Sequence, residues 1–513
     1  MPRSRCIRGF LPTSVLLCAA APSAAQWSAD PAINTLASGD AGNCVVVHVV
    51  SGPEGSTWVA WYDSGAGYDI RLQRIDDAGV PVFVEPALID DQSLSWVQDF
   101  DLAVDTTGRC AVAWIGESSV GAALVDLDGS VLWSQEFAAG SGAYLAQAQV
   151  CGASDGDVVV GWMQDEDSRF QRVAEDGELV WPAETVVSVA GTLIVSDIQP
   201  STDGDVVASF VHYLSFQGAK RLKAQRIDAS GSAVWGLAPV DVFTSGSLQY
   251  GGFPEFIPDG TGGGIFAWYV VSPLMARLQQ IDGEGAVLWG TSGVAVTDET
   301  AMVHVNPTAS FDPESGEVTV FWVRQDSLQS TAGVQMNRFD GDGQTLWGSS
   351  GLQVVPPASL TSILDLQARQ LGDLVVAAWI YASSLGGDTV RSVATTAEGT
   401  MPWGLGTRAI GTGGGAKSDL SASGQAGQRV CCWADDRDGS ARVYAQNIHV
   451  DGSLGPGTDC LADLSGDGLV GADDLLAVIA VWGPCLSCPE DFTGDDQVGT
   501  DDLLVVLAQW GPC

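Results

Sequence analysis

The chain is 513 residues long and 46% apolar, with 63 acidic side chains against 22 basic ones and a formal charge of −41. A polyanion needs clustered Lys and Arg to hold it, so nucleic acid and anionic lipid are excluded as partners. An acidic coat of this size keeps a protein solvated, and the length and apolar content allow two to four domains with a large core.

Residues 1–25 read as an export signal. Arg3, Arg5 and Arg8 precede an apolar run from Gly9 to Ala21, and Ser23-Ala24-Ala25 offers small residues for cleavage before Gln26. The sequence therefore predicts an exported, extracellular or cell-surface protein. No later segment has the ~18–20 uninterrupted apolar residues of a membrane span.

From Trp27 to Gly452 the chain repeats every 48–58 residues, with three marks in fixed order. An aromatic ends an apolar run at Trp61, Trp114, Trp162, Phe210, Trp268, Trp322, Trp379 and Trp433. A turn glycine follows at Gly79, Gly129, Gly177, Gly231, Gly285, Gly343, Gly399 and Gly452. Four residues later comes a second aromatic: Phe83, Trp133, Trp181, Trp235, Trp289, Trp347 and Trp403. Short β-branched runs cut by Asp/Gly turns read as strands joined by hairpins. Runs such as DVVVGW are apolar throughout, as strands covered on both faces are. IRLQRID and VQMNRFD partly alternate, as half-exposed strands do.

Units of this length with about four strands suit radially arranged blades. The fold class is mainly β: an eight-bladed β-propeller over 26–452, with seven blades as the alternative, then a linker (453–459) and a small α-helical domain (460–513). The eighth unit lacks the second aromatic, and WSADPAINTLAS from Trp27 repeats the missing piece. The N-terminal segment is thus expected to close the ring without a loose edge. Both aromatic series read as blade-to-blade packing residues rather than a sugar platform.

Catalytic motifs are lacking. His48, His212, His304 and His449 fall at different places in their units and form no HExxH pair. There is no GxxxxGK[ST] phosphate loop. Acidic clusters follow the central aromatics, as in WMQDEDSR and WADDRDGS, and paired carboxylates perform glycoside chemistry. An enzyme needs two carboxylates converging in one pocket, one of them perturbed; a binder shows exposed aromatics on its rim. Cys44, Cys110, Cys151, Cys431 and Cys432 read as buried free thiols.

The last 54 residues carry one unit twice, at an offset of 28. Oxygen-bearing side chains occupy positions 1, 3, 5 and 12 of a loop that feeds an apolar helix, the arrangement of a calcium loop. The first copy offers Asp463, Ser465, Asp467 and Asp474, with the carbonyl of Leu469 at position 7. The second offers Asp491, Thr493, Asp495 and Asp502, with the carbonyl of Gln497. Two calcium ions are expected. The second site is the weaker, because Asp496 stands where the first copy has Gly468 at the sharp turn. Cys460, Cys485, Cys488 and Cys513 bracket the two units and allow three pairings.

With its paired loops, DDLL helices and WGPC ends, this tail resembles a dockerin of the type closing in Gly-Pro-Cys, a module that attaches proteins to cohesin-bearing scaffolds. The resemblance covers 460–513 only. It implies a cohesin-like or other surface-anchoring partner, although Ala472-Asp473 and Thr500-Asp501 differ from the hydroxyl pairs common at loop positions 10 and 11. Its antiparallel helices imply the pairings Cys460–Cys513 and Cys485–Cys488. The alternative, Cys460–Cys485 with Cys488–Cys513, must join the ends of a helix ~15–18 Å long.

The sequence thus predicts an exported, cell-surface-attached, non-catalytic propeller binding protein, taking a carbohydrate or protein ligand and anchored by a calcium-binding dockerin-like tail. The alternatives are a secreted propeller polysaccharide hydrolase or lyase carried by that tail, and a structural surface-layer component.

Overall fold

The structure is a computed structural model and describes residues 27–512, apart from 40–41, 66, 93–98, 141, 385, 405, 425–426, 457–461, 466–468, 486–487 and 494–496. Eight four-stranded antiparallel sheets follow one another. Their innermost strands are Cys44–Ser51, Phe100–Val104, Leu145–Gly152, Thr192–Pro200, Phe256–Pro258, Val303–Asp312, Thr361–Leu371 and Lys417–Gly424. These define blades 1 to 8 of a β-propeller, and the seven-bladed alternative falls. Blade 8 takes its outermost strand from the start of the chain, where Thr35–Leu36 pairs with Arg442–His449. The ring is closed as the repeat offset requires.

The central aromatics are all buried and fill the seams between blades. The second series forms a clasp. In each blade the turn glycine lies flat against the aromatic of the blade before it; a Cβ on Gly285 would come within 2.7 Å of the Trp235 ring. Only glycine combines that approach with the local φ of +84°. Six of the tryptophans also donate their indole N–H to a carbonyl two residues before that glycine, as Trp235 does to Gly283 at 2.8 Å. Trp27 makes this contact with blade 1, on Gly79 and the Asp77 carbonyl at 2.8 Å, and so carries the clasp across the closure.

The third strands are not half-exposed: Gln225, Gln279 and Asn337 are fully buried. Each polar side chain is taken up by the connection that leads into the outermost strand. The Gln225 amide donates to the Gly236 carbonyl and accepts from the Trp235 N–H, and Gln279 does the same with Gly290 and Trp289. The alternation seen in sequence marks hydrogen-bonded splints between strands, because a buried amide is tolerated when its partners are present.

Among the described residues, no helix longer than a three-residue turn precedes Ala472. The tail holds two helices, Ala472–Ala480 and Thr500–Ala508, packed around Val470, Val478, Val498 and Val506. Leu469–Val470 pairs with Gly511–Pro512, and Gly483–Pro484 pairs with Gln497–Val498. Each loop is therefore stitched to the end of the other copy's helix. Cys485 and Cys488 are bonded to each other, which rules out the pairing of sequence neighbours; Cys460 and Cys513 lie outside the described residues. The other five cysteines of the expected set are buried free thiols. No helix is long and apolar enough to cross a membrane among the described residues.

The clasp has a measurable consequence. Gly285→Ala is expected to cost roughly 2–3 kcal/mol, combining left-handed strain with the clash on Trp235. Gly290→Ala, with similar φ but open space around it, is expected to cost only about 1 kcal/mol. Equal shifts in urea midpoint for the two would refute the clasp.

Candidate functional site: the central channel

Six of the eight innermost strands carry a register shift near their start. In five of them a non-glycine residue takes positive φ there: Val46, Gln147, Asn306, Asp365 and Asp419. Such a bulge bends the strand and re-aims side chains, here at the channel mouth.

After the bulge, one position in each blade faces its neighbour across the channel wall. It pairs with the residue before the central aromatic: His48 with Ala60, Asp101 with Ala113, Gln149 with Gly161, Asp197 with Ser209, Thr308 with Phe321, Gln367 with Ala378 and Ser421 with Cys432. In blade 5 the equivalent residue is Glu255. Five members accept a backbone N–H from the next blade. Val150 donates to Asp101 at 2.9 Å, Phe256 to Asp197 at 3.0 Å, Ala368 to Thr308 at 3.0 Å, Ala422 to Gln367 at 2.9 Å and Val49 to Ser421 at 3.1 Å. These bonds satisfy donors that an innermost strand leaves unpaired on its free edge.

Three members, His48, Gln149 and Glu255, do not join this relay and face the channel. Glu255 meets Arg369 of blade 7 at 3.2 Å, an ion pair that bypasses blade 6 altogether. Asp99 accepts from the Gln147 amide. Burial pushes the Asp101 carboxyl up to about 7, against the downward pull of the Val150 and Leu102 N–H groups. Asp197 is driven well above the ordinary range by burial and by nearby Glu255. Burial holds the His48 imidazole below its ordinary value, hence neutral at pH 7. His48, Asp99, Asp101, Asp197, Glu255 and Arg369 line one cavity of about 740 Å3. A second, of about 450 Å3, shares His48, Glu255 and Arg369 with it and adds Asn306, Asp365 and Asp419.

Beside the channel mouth stands an exposed aromatic rim. Tyr250 (61% exposed) lies on the connection that descends to Glu255, Phe216 (79%) on the neighbouring hairpin, and Tyr144 (66%) just before the inner strand of blade 3. The Tyr250 ring lies 6.5 Å from Phe216 and 5.9 Å from Tyr213, both edge-on. The Lys220 ammonium sits 5.2 Å from the Tyr250 ring centre and 5.5 Å from that of Tyr213.

The acidic clusters singled out from sequence do not converge here. Asp435 is a buried partner of Lys417 and Arg437, and Asp165 accepts the Tyr144 N–H in a hairpin. His212, His304 and His449 bond nearby carbonyls. The channel residues were missed, although a signal existed: a polar residue stands 12 to 14 places before each central aromatic, as His48 before Trp61 and Ser421 before Trp433.

In the tail, Asp474 accepts from the Ser465 and Gly471 N–H groups at 2.8 and 2.7 Å, and Asp502 from Thr493 and Gly499 at 3.0 and 2.8 Å. Burial works to raise both carboxyls, but those N–H groups outweigh it and hold them below the usual range. Asp463 and Asp491 accept the hydroxyls of Ser465 and Thr493. Asp467 and Asp495 lie outside the described residues. Leu476, Ile479 and Trp482 are exposed on the first helix unit, and Leu504, Leu507 and Trp510 match them on the second.

No family model matches the sequence, and no curated protein matches it. Solved structures are similar over most of the chain. A puromycin hydrolase, solved as a point mutant complexed with PGG, is 14% identical over 79% of this chain, with a TM-score of 0.45, and the match spans 60% of the hydrolase's own length. An ulvan lyase of polysaccharide lyase family PL25 is 10% identical over 84% of this chain and 98% of its own, at 0.43. The Dos1 propeller is 12% identical over 80% and 94%, at 0.46.

The raised Asp101 carboxyl gives the channel a pH signature. Its folded pKa of about 7 exceeds an unfolded value near 3.9, so the folded state holds the proton more tightly, and stability is lost as pH rises from about 4 through about 7. Asp101→Asn does not titrate. Its stability relative to the parent should therefore improve by roughly 2–3 kcal/mol between pH 5 and pH 8 in chemical denaturation; a pH-independent difference would contradict the shift.

Proposed function

We propose that the protein is an exported, surface-displayed propeller that binds carbohydrate without processing it, attached by a calcium-ordered dockerin-like tail. The observation that carries the reading is the aromatic rim of Phe216, Tyr250 and Tyr144 beside the channel mouth. Exposed aromatic faces rarely cluster without a ligand to stack on, and the aromatics of the repeat are all used in packing. The two channel carboxyls with strongly raised pKa, Asp101 and Asp197, favour the second reading, a polysaccharide hydrolase or lyase. Both, however, are tied to amides of the next blade, which supports a structural role for them.

The purified chain should be retained on at least one member of a polysaccharide panel without releasing sugars. Phe216→Ala combined with Tyr250→Ala should reduce retention at least tenfold. Oligosaccharide release lost in Asp197→Asn would replace the binder with the enzyme, and retention that survives loss of both rings would remove the rim from the site.

For the tail, an all-oxygen donor set suits a hard cation such as calcium. Asp463, Ser465, Asp467, Asp474 and the Leu469 carbonyl would hold one ion; Asp491, Thr493, Asp495, Asp502 and the Gln497 carbonyl would hold a weaker second. Bound calcium would order the loops and so fix the two helices. The paired apolar faces beginning at Leu476 and Leu504 then offer a partner a docking surface. Asp463→Asn with Asp491→Asn should abolish calcium uptake in equilibrium dialysis, and unchanged uptake would end the assignment.

A further inference from the structure

We propose that the central channel receives ammonium groups carried on a slender chain, as in an amino-sugar oligomer or a polyamine. The inference deepens the carbohydrate reading and rests on it for the amino-sugar source. The channel and its mouth set the carboxyl groups of Asp99, Glu255, Asp365 and Asp419 against a single guanidinium, Arg369, itself held by Glu255. The whole molecule adds a charge of −41, and a cleft lined with one sign of charge concentrates counter-ions. Among the described residues of the channel, no three His, Cys, Asp or Glu side chains converge on one point. Carboxyl groups spread over two adjoining cavities of about 740 and 450 Å3, Asp99 and Glu255 in the larger and Glu255, Asp365 and Asp419 in the smaller, suit an extended cation instead.

Two further observations point to the same chemistry. His48 stacks on Phe100 with ring centres 4.7 Å apart and presents a neutral imidazole to the cavity, a form whose unprotonated nitrogen accepts from an N–H donor. Gln149 and Glu255, the other ring positions outside the inter-blade relay, add acceptor oxygens at the same level of the wall.

Calorimetric titration of the whole chain with a glucosamine hexamer, its N-acetylated counterpart, cellohexaose and spermine separates the possibilities. The glucosamine hexamer should bind at least tenfold more tightly than the two uncharged oligomers. Glu255→Gln and Asp419→Asn should each weaken it tenfold or more, while Glu398→Gln on an exposed hairpin leaves it unchanged. Two channel variants guard against loss of fold in one of them. Spermine binding at comparable affinity identifies the free ammonium as sufficient, whereas binding of the hexamer alone identifies the amino sugar.

Equal affinity for all three hexamers would overturn the inference and leave the carbohydrate reading standing. Spermine binding with no retention on any polysaccharide would do the reverse. Amine binding weakened equally by Glu398→Gln reports diffuse attraction to an acidic surface and overturns the channel site.

Discussion

Each innermost strand of a propeller has one edge with no strand beside it. Donors on that edge face either water in a narrow channel or nothing, and a buried unpaired amide costs on the order of 1–3 kcal/mol. Here the neighbouring blade supplies the acceptor, through Asp101, Asp197, Thr308, Gln367 and Ser421. Much else follows from that arrangement. It fixes the height at which adjacent blades meet, it commits most channel-facing positions to structure, and it draws carboxylates into a wall where burial raises their pKa. What remains uncommitted is the small set that can meet a ligand.

The outer clasp and the inner relay divide the labour between them. The Trp–Gly contacts hold the blades at large radius by close packing, where a ring of aromatics can cover a flat turn. The relay holds them at small radius with single polar bonds. A channel of polar character is the geometric residue of using hydrogen-bond acceptors at the centre.

The architecture was readable from the sequence because its determinants are one-dimensional. An aromatic, a glycine and another aromatic at fixed spacing recur whatever the rest of the blade does, and the spare Trp27 segment betrays the closure. The channel was not readable to the same degree. Its ring positions require only a polar side chain, so they appear as His, Asp, Gln, Asp, Glu, Thr, Gln and Ser, and the bulges shift their spacing. The splint glutamines misled for a related reason: polarity at alternate positions looks like solvent exposure until Gln225 is found wholly enclosed. In the tail the loops and helices were evident from the duplicate. The stitching of Leu469–Val470 to Gly511–Pro512 was not, since two residues of pairing leave no pattern.

Blade 8 joins Thr35–Leu36 to a hairpin that ends at His449. Two stretches of polypeptide made at opposite ends of synthesis must therefore meet before the object is whole. The entropic toll of joining such distant segments rises only logarithmically with length, so equilibrium scarcely opposes it, but the clock does. Until the final hairpin has emerged, the nascent molecule is an arc of seven sheets with a live edge at either tip, prone to recruit the wrong strand.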